Sequence, residues 1–293
     1  MDRVPSLMLQ DIALVQLIRA FSSPISLLQG KEVRTFQLGP ETTASKTQHV
    51  VCRTYSSHFA FVYMSSSNIL KKFDIFGHLH AQCALNRNVH DVCFVLENDK
   101  MFLLKTTSFN SIHGGHEPVL HILNAHNLCE ETQFVININD RPKSMAIWGE
   151  HIFLLGFYNI YVIDKCGNFQ YSIDLKNYID DNSGDIVEYN QIVIHRNHLY
   201  LTFYGNVSFV QVIDIDLKDF RILRQQPVPF HIYRCRISPL SQILFLDLND
   251  RVYTCTSDQI DITHITDVEL YDGDVLPNGM LCVVYNNTCS FYK

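Results

Sequence analysis

Long hydrophobic runs are missing from this sequence of 293 residues. The longest mostly apolar stretch, residues 7–21, is interrupted by Gln10, Asp11, Gln16 and Arg19, whereas a membrane-spanning helix needs about 20 predominantly apolar residues. Glycine and proline are few, at 12 and 9 residues, and only 18% of the residues are charged beside 47% that are hydrophobic. This composition excludes collagen, coiled coils and intrinsic disorder, so we expect a soluble protein with a sizeable core.

Basic residues are fewer than acidic residues, with 23 Lys and Arg and 30 Asp and Glu. The net charge of −7 arises entirely in residues 151–293, which hold 10 basic and 17 acidic residues, whereas residues 1–150 hold 13 of each. Proteins that bind nucleic acids usually present a basic surface, because neutralising phosphates supplies most of their affinity. The overall balance therefore disfavours a nucleic-acid partner, although it is compatible with a local basic patch.

Signatures of secretion and of common enzyme classes are absent. Residues 1–5 lack the basic region and apolar core of a secretory signal, and no Gly-x-Ser-x-Gly elbow, P-loop or dinucleotide fingerprint occurs. The nine cysteines, an odd number, lie mostly inside apolar runs such as residues 280–284 and are expected to be reduced and buried. We therefore expect a cytoplasmic or nuclear protein that is not an enzyme, with a Ser/His/Asp triad among its 14 histidines as the open alternative.

From about Gln48 onward the chain consists of short β-rich runs separated by Gly, Asn, Asp and Pro, with no sustained helical periodicity. This pattern predicts an all-β protein. The runs come in groups of four, as in residues 143–148, 151–156, 159–164 and 168–175. The first three runs of that group are nearly continuous in apolar residues, and the fourth alternates apolar with polar, which is typical of a half-exposed outer strand.

The four-strand unit repeats along the chain at intervals of 37 to 54 residues. The six units begin near His49, Val89, Lys143, Gln191, His231 and Val268. Further outer strands are predicted at residues 79–85, 134–138 and 260–262, and the long second interval is attributed to a loop insertion at 106–117. Repeats of this length, each a four-stranded antiparallel sheet, predict a six-bladed β-propeller.

The two ends of the chain carry separate expectations. The sixth unit has only three strands, so we predict that residues 32–38 supply its fourth strand and close the ring within a single domain of residues 32–293. Residues 1–31 are predicted to form a short helix from Leu7 to about Phe21, capped by Ser6, followed by a linker. This helix either packs on the ring or serves as a partner-binding or oligomerising helix. Association with a membrane surface is disfavoured, because its polar face carries Asp11 and Arg19 rather than a basic set.

The hairpins between third and fourth strands share an Asp-x-x-Gly turn, at Asp74 to Gly77 and at Asp164 to Gly167. These units resemble the repeats of six-bladed propellers of the NHL type and of related, WD40-like propellers. The Trp-Asp dipeptide of WD40 repeats is absent, because Trp148 is followed by Gly149. The NHL resemblance implies a platform that binds protein or RNA.

A basic group is predicted where the fourth unit meets the fifth. Arg221 and Arg224 belong to an outer strand, and Tyr233, Arg234 and Arg236 belong to the first strand that follows it. Paired surface charges are the simpler interpretation. The alternative is a site for an anionic ligand, a phosphopeptide or RNA, with Tyr233 as a stacking neighbour.

Acidic residues concentrate at Asp267, Glu269, Asp272 and Asp274. They alternate with Val268 and Leu270 in part of this stretch, which is typical of a strand with one solvated face. A calcium site or a docking patch for a basic partner are the alternatives.

Histidines cluster at His113, His116 and His121, near a Gly-Gly pair. Imidazoles at such spacings could bind zinc or nickel, but a polar loop is the favoured interpretation, and we expect no metal and no cofactor.

Together these features favour a non-catalytic protein-interaction scaffold that binds a protein partner through its inter-blade loops. Two alternatives stay open. One is a propeller hydrolase or lactonase that uses a divalent ion in its channel, and the other is an NHL-like RNA-binding platform.

Overall fold

A computed structural model of the chain consists of short antiparallel β-strands, with no helix among the residues it describes that is long and apolar enough to cross a bilayer. The helix predicted near residues 7–21 lies outside the described residues. The residues described are 32–38, 50–56, 58–65, 67–85, 89–108, 116–138, 140–175, 188–204, 210–228, 232–237, 242–247, 251–256, 263–267, 272–278, 280–285 and 288–292.

The strands form six antiparallel sheets of four strands, each a propeller blade. Strand β1 (Glu32–Gln37) comes first in the chain and belongs to the last blade. Blade 1 contains β2 (Val50–Tyr55), β3 (Phe59–Met64), β4 (Ile69–Asp74) and β5 (Leu79–Ala84). Blade 2 contains β6 (Val89–Glu97), β7 (Lys100–Ser108), β8 (His116–Asn124) and β9 (Glu130–Val135). Blade 3 contains β10 (Ser144–Trp148), β11 (His151–Leu155), β12 (Asn159–Asp164) and β13 (Phe169–Asp174).

The second half of the ring repeats this arrangement. Blade 4 contains β14 (Glu188–His195), β15 (His198–Tyr204), β16 (Val210–Asp216) and β17 (Ile222–Val228). Blade 5 contains β18 (Ile232–Ile237), β19 (Gln242–Asp247), β20 (Arg251–Thr256) and β21 (Thr263–Asp267). Blade 6 contains β22 (Asp272–Val275), β23 (Leu281–Tyr285), β24 (Thr288–Tyr292) and the early strand β1. The predicted six-bladed propeller is thereby confirmed.

The hydrophobic core lies between the blades rather than within any one of them. Six clusters of buried apolar side chains each join two neighbouring blades, and together they run around the whole ring. Between blades 3 and 4, for example, Phe153 and Val162 share a cluster with Leu201 and Ile213. A four-stranded sheet that is apolar on both faces buries each face only against another sheet, which is why the blades close into a ring.

The ring is closed by the pairing of β1 with β24, as the strand count predicted. Arg34 lies opposite Phe291 and Phe36 opposite Cys289 in this antiparallel pair. The ring of Phe36 lies 5.3 Å from that of Phe73 in blade 1, and Leu38 is 3% exposed in the cluster between blades 6 and 1. The closing strand therefore contributes to the core as well as to the sheet.

The predicted outer-strand residues 260–262 and the predicted start near Val268 lie outside the described residues, which give Thr263–Asp267 for the outer strand of blade 5 and Asp272–Val275 for the first strand of blade 6. Two other boundaries differ from the sequence prediction. The outer strand of blade 2 is Glu130–Val135 rather than residues 134–138. Thr107 pairs with Glu117, so part of the predicted loop insertion instead extends the hairpin of β7 and β8. A period of two identifies the faces of a strand but not its ends, which accounts for these shifts.

The turns between third and fourth strands form as the Asp-x-x-Gly pattern predicted. Asp164 Oδ1 accepts hydrogen bonds from the backbone N–H groups of Cys166 and Asn168, each at 2.9 Å. Gly167 takes a φ of +84°, a conformation that side chains disfavour. Gly167 also sits against Phe134 of blade 2, so this turn fixes the contact between neighbouring blades.

Replacing Gly167 with alanine is expected to destabilise the protein by about 2–4 kcal/mol. The added methyl carbon would lie 2.7 Å from Phe134 Cβ, on top of the strain at positive φ. Chemical denaturation measures the loss. Gly149→Ala is the matched control, because Gly149 has a φ of +58° with nothing within 4 Å, and only the backbone strain of about 1–2 kcal/mol should appear there. Equal losses in the two variants would contradict the inter-blade contact.

Candidate functional site

The innermost strand of each blade surrounds the propeller axis, and polar side chains on these strands join one blade to the next. An innermost strand is a sheet edge, so some of its backbone N–H groups need partners outside their own sheet. Side chains of the preceding blade accept hydrogen bonds from these groups. Ser144 Oγ accepts a hydrogen bond from Ile192 N at 3.2 Å, and Gln191 Oε1 accepts one from Cys235 N at 2.8 Å. Between blades 6 and 1, Asp272 Oδ2 accepts from Cys52 N and Asp274 Oδ2 accepts from Thr54 N, each at 2.8 Å.

Asp272 is the centre of a buried charge cluster on this inner wall. Its side chain is fully buried, and Arg236 Nη2 donates to both carboxylate oxygens, at 3.1 and 3.0 Å. Arg53 Nη1 lies 3.7 Å and Arg234 Nε 3.9 Å from the same carboxylate. Burial alone would raise the pKa of this carboxyl, but Arg236, Arg234 and Arg53 outweigh it and hold the pKa below its usual value. Asp272 is therefore ionised and shared by three cations.

The three arginines are held by further contacts. Arg236 Nη1 donates to Gln191 Oε1 at 2.7 Å and to the carbonyl oxygen of Cys235 at 2.8 Å. Arg53 Nη1 donates to the carbonyl oxygen of Cys52 at 2.8 Å. Burial, and after it repulsion from Arg236, lower the pKa of Arg53 to about 10. The guanidinium groups of Arg53 and Arg236 therefore repel each other, while the carboxyl groups of Asp272 and Asp274 attract Arg53.

Asp274 is bound differently from Asp272. Its Oδ2 accepts from the backbone N–H of Thr54 and from Thr54 Oγ1 at 3.1 Å, and its Oδ1 accepts from Val275 N at 2.9 Å. Burial raises the pKa of this carboxyl. Asp274 therefore acts mainly as a hydrogen-bond acceptor between blades, and protein groups bind the carboxyl groups of both Asp272 and Asp274.

A cavity of about 340 Å³ lies along the axis beside this cluster. Its wall includes Arg53, Arg234, Arg236 and Asp274 on one part, and apolar side chains of β6, β10 and β14 on another. Arg53 is 18% exposed, so the cluster is in contact with solvent.

The structure separates the residues of the predicted basic group. Arg234 and Arg236 are 8% and 5% exposed on the inner strand β18, so their ion pairs are buried and not at the surface. Tyr233 lies between them in β18. Arg224, on the outer strand β17, donates through Nε and Nη2 to the buried Asp214 at 3.1 and 2.8 Å. Arg221 is 69% exposed and lies 3.7 Å from Asp219.

The acidic stretch is divided between two blades. Asp267 ends the outer strand β21, and Glu269 lies outside the described residues. Asp272 and Asp274 belong to the inner strand β22, where they are 0% and 7% exposed, so the expectation of a solvated face is wrong for them. A strand that alternates polar with apolar residues looks the same whether its polar face meets water or buried arginines.

The predicted histidine cluster is also spread out. His113 lies outside the described residues, and His116 and His121 are five residues apart in β8, about 16 Å along the strand. His121 is 7% exposed and its Nδ1 forms a short hydrogen bond with Glu130. Burial lowers the pKa of His121. Among the described residues, no three His, Cys, Asp or Glu side chains are placed to hold a metal ion.

Sequence reasoning missed Arg53 as a member of the cluster, although a signal was present. Cys52-Arg53 in β2 and Cys235-Arg236 in β18 are the same dipeptide at the same place in their blades. In both, the cysteine N–H donates to a side chain of the preceding blade and the arginine donates to the cysteine carbonyl. Aligning the units on this dipeptide makes Arg53 the equivalent of Arg236.

Comparison with known proteins supports the fold. No family model and no curated protein matches the sequence. Among solved structures, the Neurospora crassa Pan2 WD40 domain matches with a TM-score of 0.54 and 9% identity, over 89% of this chain and 96% of that one. BamB from Moraxella catarrhalis matches with a TM-score of 0.46 and 12% identity, over 90% of this chain and 99% of that one. The likeness to the Pan2 WD40 domain shows the β-propeller fold alone, and the resemblance to NHL-type and WD40-like propellers stays a prediction.

Proposed function

We propose that the protein is a non-catalytic scaffold that binds a protein partner. The main support is a concentration of exposed aromatic side chains on one blade. Eight large apolar side chains are exposed among the described residues, and four of them, Phe157, Tyr158, Phe169 and Tyr171, belong to blade 3. Exposed aromatic residues are typical of the centres of protein interfaces, where they supply much of the binding energy.

Two of these residues form a surface that extends onto blade 4. Phe169 and Tyr171 are 51% and 38% exposed on the outer strand β13. A β-bulge lies between them, since Phe169 pairs with Ile163 and Tyr171 with Val162. The Tyr171 ring makes an edge contact with Phe220, at 5.9 Å between centroids, and the next residue, Arg221, is 69% exposed. We call Phe169, Tyr171, Phe220 and Arg221 the blade 3–4 surface. It combines apolar anchors with a cation at the rim, and β13 adds the free edge of its sheet, to which an extended peptide could hydrogen-bond.

Two of the remaining predicted site residues, Arg224 and Asp267, enter this proposal as secondary contacts. Arg224 lies on β17 beside the blade 3–4 surface, and Asp267 ends the outer strand of the next blade. The four predicted residues that are buried at the axis are not part of the blade 3–4 surface; they are Arg234, Arg236, Asp272 and Asp274.

Replacing both Phe169 and Tyr171 with serine is expected to weaken partner binding by about 30-fold or more, because even a single interface anchor contributes about 2 kcal/mol or more. Affinity capture from the native source, with chelator and nuclease present, identifies the partner, and titration of that partner measures the loss. Leu79→Ser is the matched control, because Leu79 is 49% exposed on the outer strand of blade 1. Unchanged binding in the double variant would contradict this surface, and ester hydrolysis without any partner would contradict the scaffold.

We further propose that the protein works in the cytoplasm or nucleus. Cys282 Sγ lies 3.6 Å from Cys52 Sγ and 3.4 Å from Cys289 Sγ, and all three are free thiols in the core between blades 6 and 1. Adjacent thiols of this kind persist most readily in a reducing compartment.

A further inference from the structure

Three cysteine side chains meet where the last blade joins the first. Cys282 Sγ lies 3.6 Å from Cys52 Sγ across the boundary between blades 6 and 1, and 3.4 Å from Cys289 Sγ within blade 6. All three are free thiols and fully buried, in the cluster that also contains Phe36 and Leu38 of the closing strand. The boundary at which the ring closes therefore brings together thiols that are close enough to be cross-linked after small movements.

The strand register makes a bond within blade 6 unfavourable. In the antiparallel pair of β23 and β24, Cys282 lies opposite Phe291. Cys289 lies two residues from Phe291 in β24, so the two cysteines are diagonal neighbours in the sheet. Diagonal neighbours have Cα atoms about 7–8 Å apart, whereas disulfides usually join Cα atoms about 4.4–6.8 Å apart. A bond between Cys282 and Cys289 would therefore distort the sheet.

The pair across the boundary is free of this restriction. Cys52 in β2 and Cys282 in β23 belong to different sheets, and some Cα atoms of these two strands come within 8 Å of each other. Asp272 holds β2 in this place, because its Oδ2 accepts from Cys52 N at 2.8 Å. The two sulfur atoms would have to approach by about 1.5 Å, from 3.6 Å to the bonded distance of about 2.05 Å.

We propose that Cys52 and Cys282 form a reversible redox lock, in which a disulfide joins blade 6 covalently to blade 1. The oxidant is hydrogen peroxide. A thiolate at one of the two positions attacks a peroxide oxygen, the O–O bond breaks, and a sulfenic acid and hydroxide are formed. The second thiolate attacks that sulfur and displaces another hydroxide. The protons of the two thiols convert both hydroxides to water, so the thiols lose two electrons and one peroxide becomes two waters.

The closed ring protects these thiols from oxidation. The hydrogen bond with Cys282, and after it burial, raise the pKa of Cys52, so this side chain stays a protonated thiol, which is a poor nucleophile. Phe36 of the closing strand pairs with Cys289 and covers the same cluster. Local opening of this boundary gives peroxide access to the thiols, and the bond then holds the boundary closed until a thiol reductant cleaves it. The lock does not involve the blade 3–4 surface, so either proposal can fail without the other.

Peptide mapping of the full chain after treatment with hydrogen peroxide, below its unfolding temperature, tests the pairing. With free thiols alkylated, trypsin should release residues 47–53, which contain Cys52, linked to residues 252–293. Cleavage after Tyr285 then separates Cys282 from Cys289. We expect the link at Cys282 and its loss with dithiothreitol. A bond between Cys282 and Cys289, sulfinic acids without a cross-link, or three thiols that stay free would overturn the proposal.

Thermal unfolding without reductant tests whether the bond locks the ring. The oxidised protein should unfold about 5 °C or more above the reduced protein, because the bond joins residues 230 positions apart. Cys52→Ser should lose the link and the rise, whereas Cys289→Ser should keep both. Cys166→Ser is the matched control, because Cys166 is an exposed thiol of blade 3.

Circular dichroism shows whether each variant is folded, and the map of the natural chain stays decisive if Cys52→Ser is not. A linked protein that unfolds at the same temperature as the reduced one, or a rise that persists in folded Cys52→Ser, would refute the lock.

Discussion

Replacing Asp272 with asparagine is expected to destabilise the propeller by about 3–5 kcal/mol, because it leaves buried arginines without their shared counter-charge. Arg236, Arg53 and Arg234 lie 3.0, 3.7 and 3.9 Å from this carboxylate. Asp272 also joins blade 6 to blade 1 through Cys52 N. The free energy of unfolding, from denaturant titration at neutral pH, measures the effect.

Asp274→Asn is the matched control for this experiment. Asp274 lies two residues away in the same strand and is also buried, but its oxygens accept mainly from Thr54 and Val275. Its loss should cost only about 1–3 kcal/mol, the range for an imperfectly satisfied buried group. The double variant Asp272→Asn with Arg236→Gln should lose less stability than the two single variants lose together. Both members of the closest ion pair are neutral in the double variant, so no unpaired charge is left at either position. Equal losses at the two aspartates would argue against the charge cluster.

The effect of Asp272 should depend on pH with a definite sign. Its pKa is lower in the folded protein than in the unfolded chain, so its ionised form stabilises the fold above the ordinary carboxyl pKa of about 3.9. That contribution is lost as pH falls through the lowered folded-state value. The gap in stability between the natural chain and the Asp272→Asn variant should therefore be full near neutral pH and shrink in acid.

The strand order could be predicted from sequence because its signals are local. In blade 3 the apolar runs and the Asp164 to Gly167 turn predicted four strands, and the structure places them within about one residue of those limits. The closing role of β1 followed from counting, since a blade of three strands leaves an open edge.

The buried charge cluster around Asp272 could not be predicted in the same way, because it depends on ring closure. Cys52 and Asp272 are 220 residues apart in sequence and become hydrogen-bonded neighbours only when blade 6 meets blade 1. Alternation in the acidic stretch indicated a polar face but could not indicate what that face would contact. The repeated Cys-Arg dipeptide was the one local sign that β2 and β18 carry equivalent arginines.

Removing residues 1–38 is expected to abolish the monomeric propeller. The deletion exposes the edge of β24 and takes Phe36 and Leu38 from the core between blades 6 and 1. Losing one large buried side chain typically costs about 2–5 kcal/mol, so the combined loss is comparable with the whole stability of about 5–15 kcal/mol of an ordinary protein. Size-exclusion chromatography and thermal unfolding should show aggregation or the absence of a cooperative transition.

A shorter deletion and a peptide separate the strand from the segment before it. The chain lacking residues 1–30 keeps β1 and should retain a cooperative transition, in line with our proposal that residues 32–293 form the propeller domain. Adding a peptide of residues 30–40 to the chain lacking 1–38 should restore the transition, because the peptide can pair with β24 as the natural strand does. The same peptide with serine in place of Phe36 and Leu38 should fail, since backbone pairing alone does not refill the core. If the chain lacking residues 1–38 unfolds like the full chain, β1 is dispensable and ring closure rests on the inner-strand contacts of blades 1 and 6.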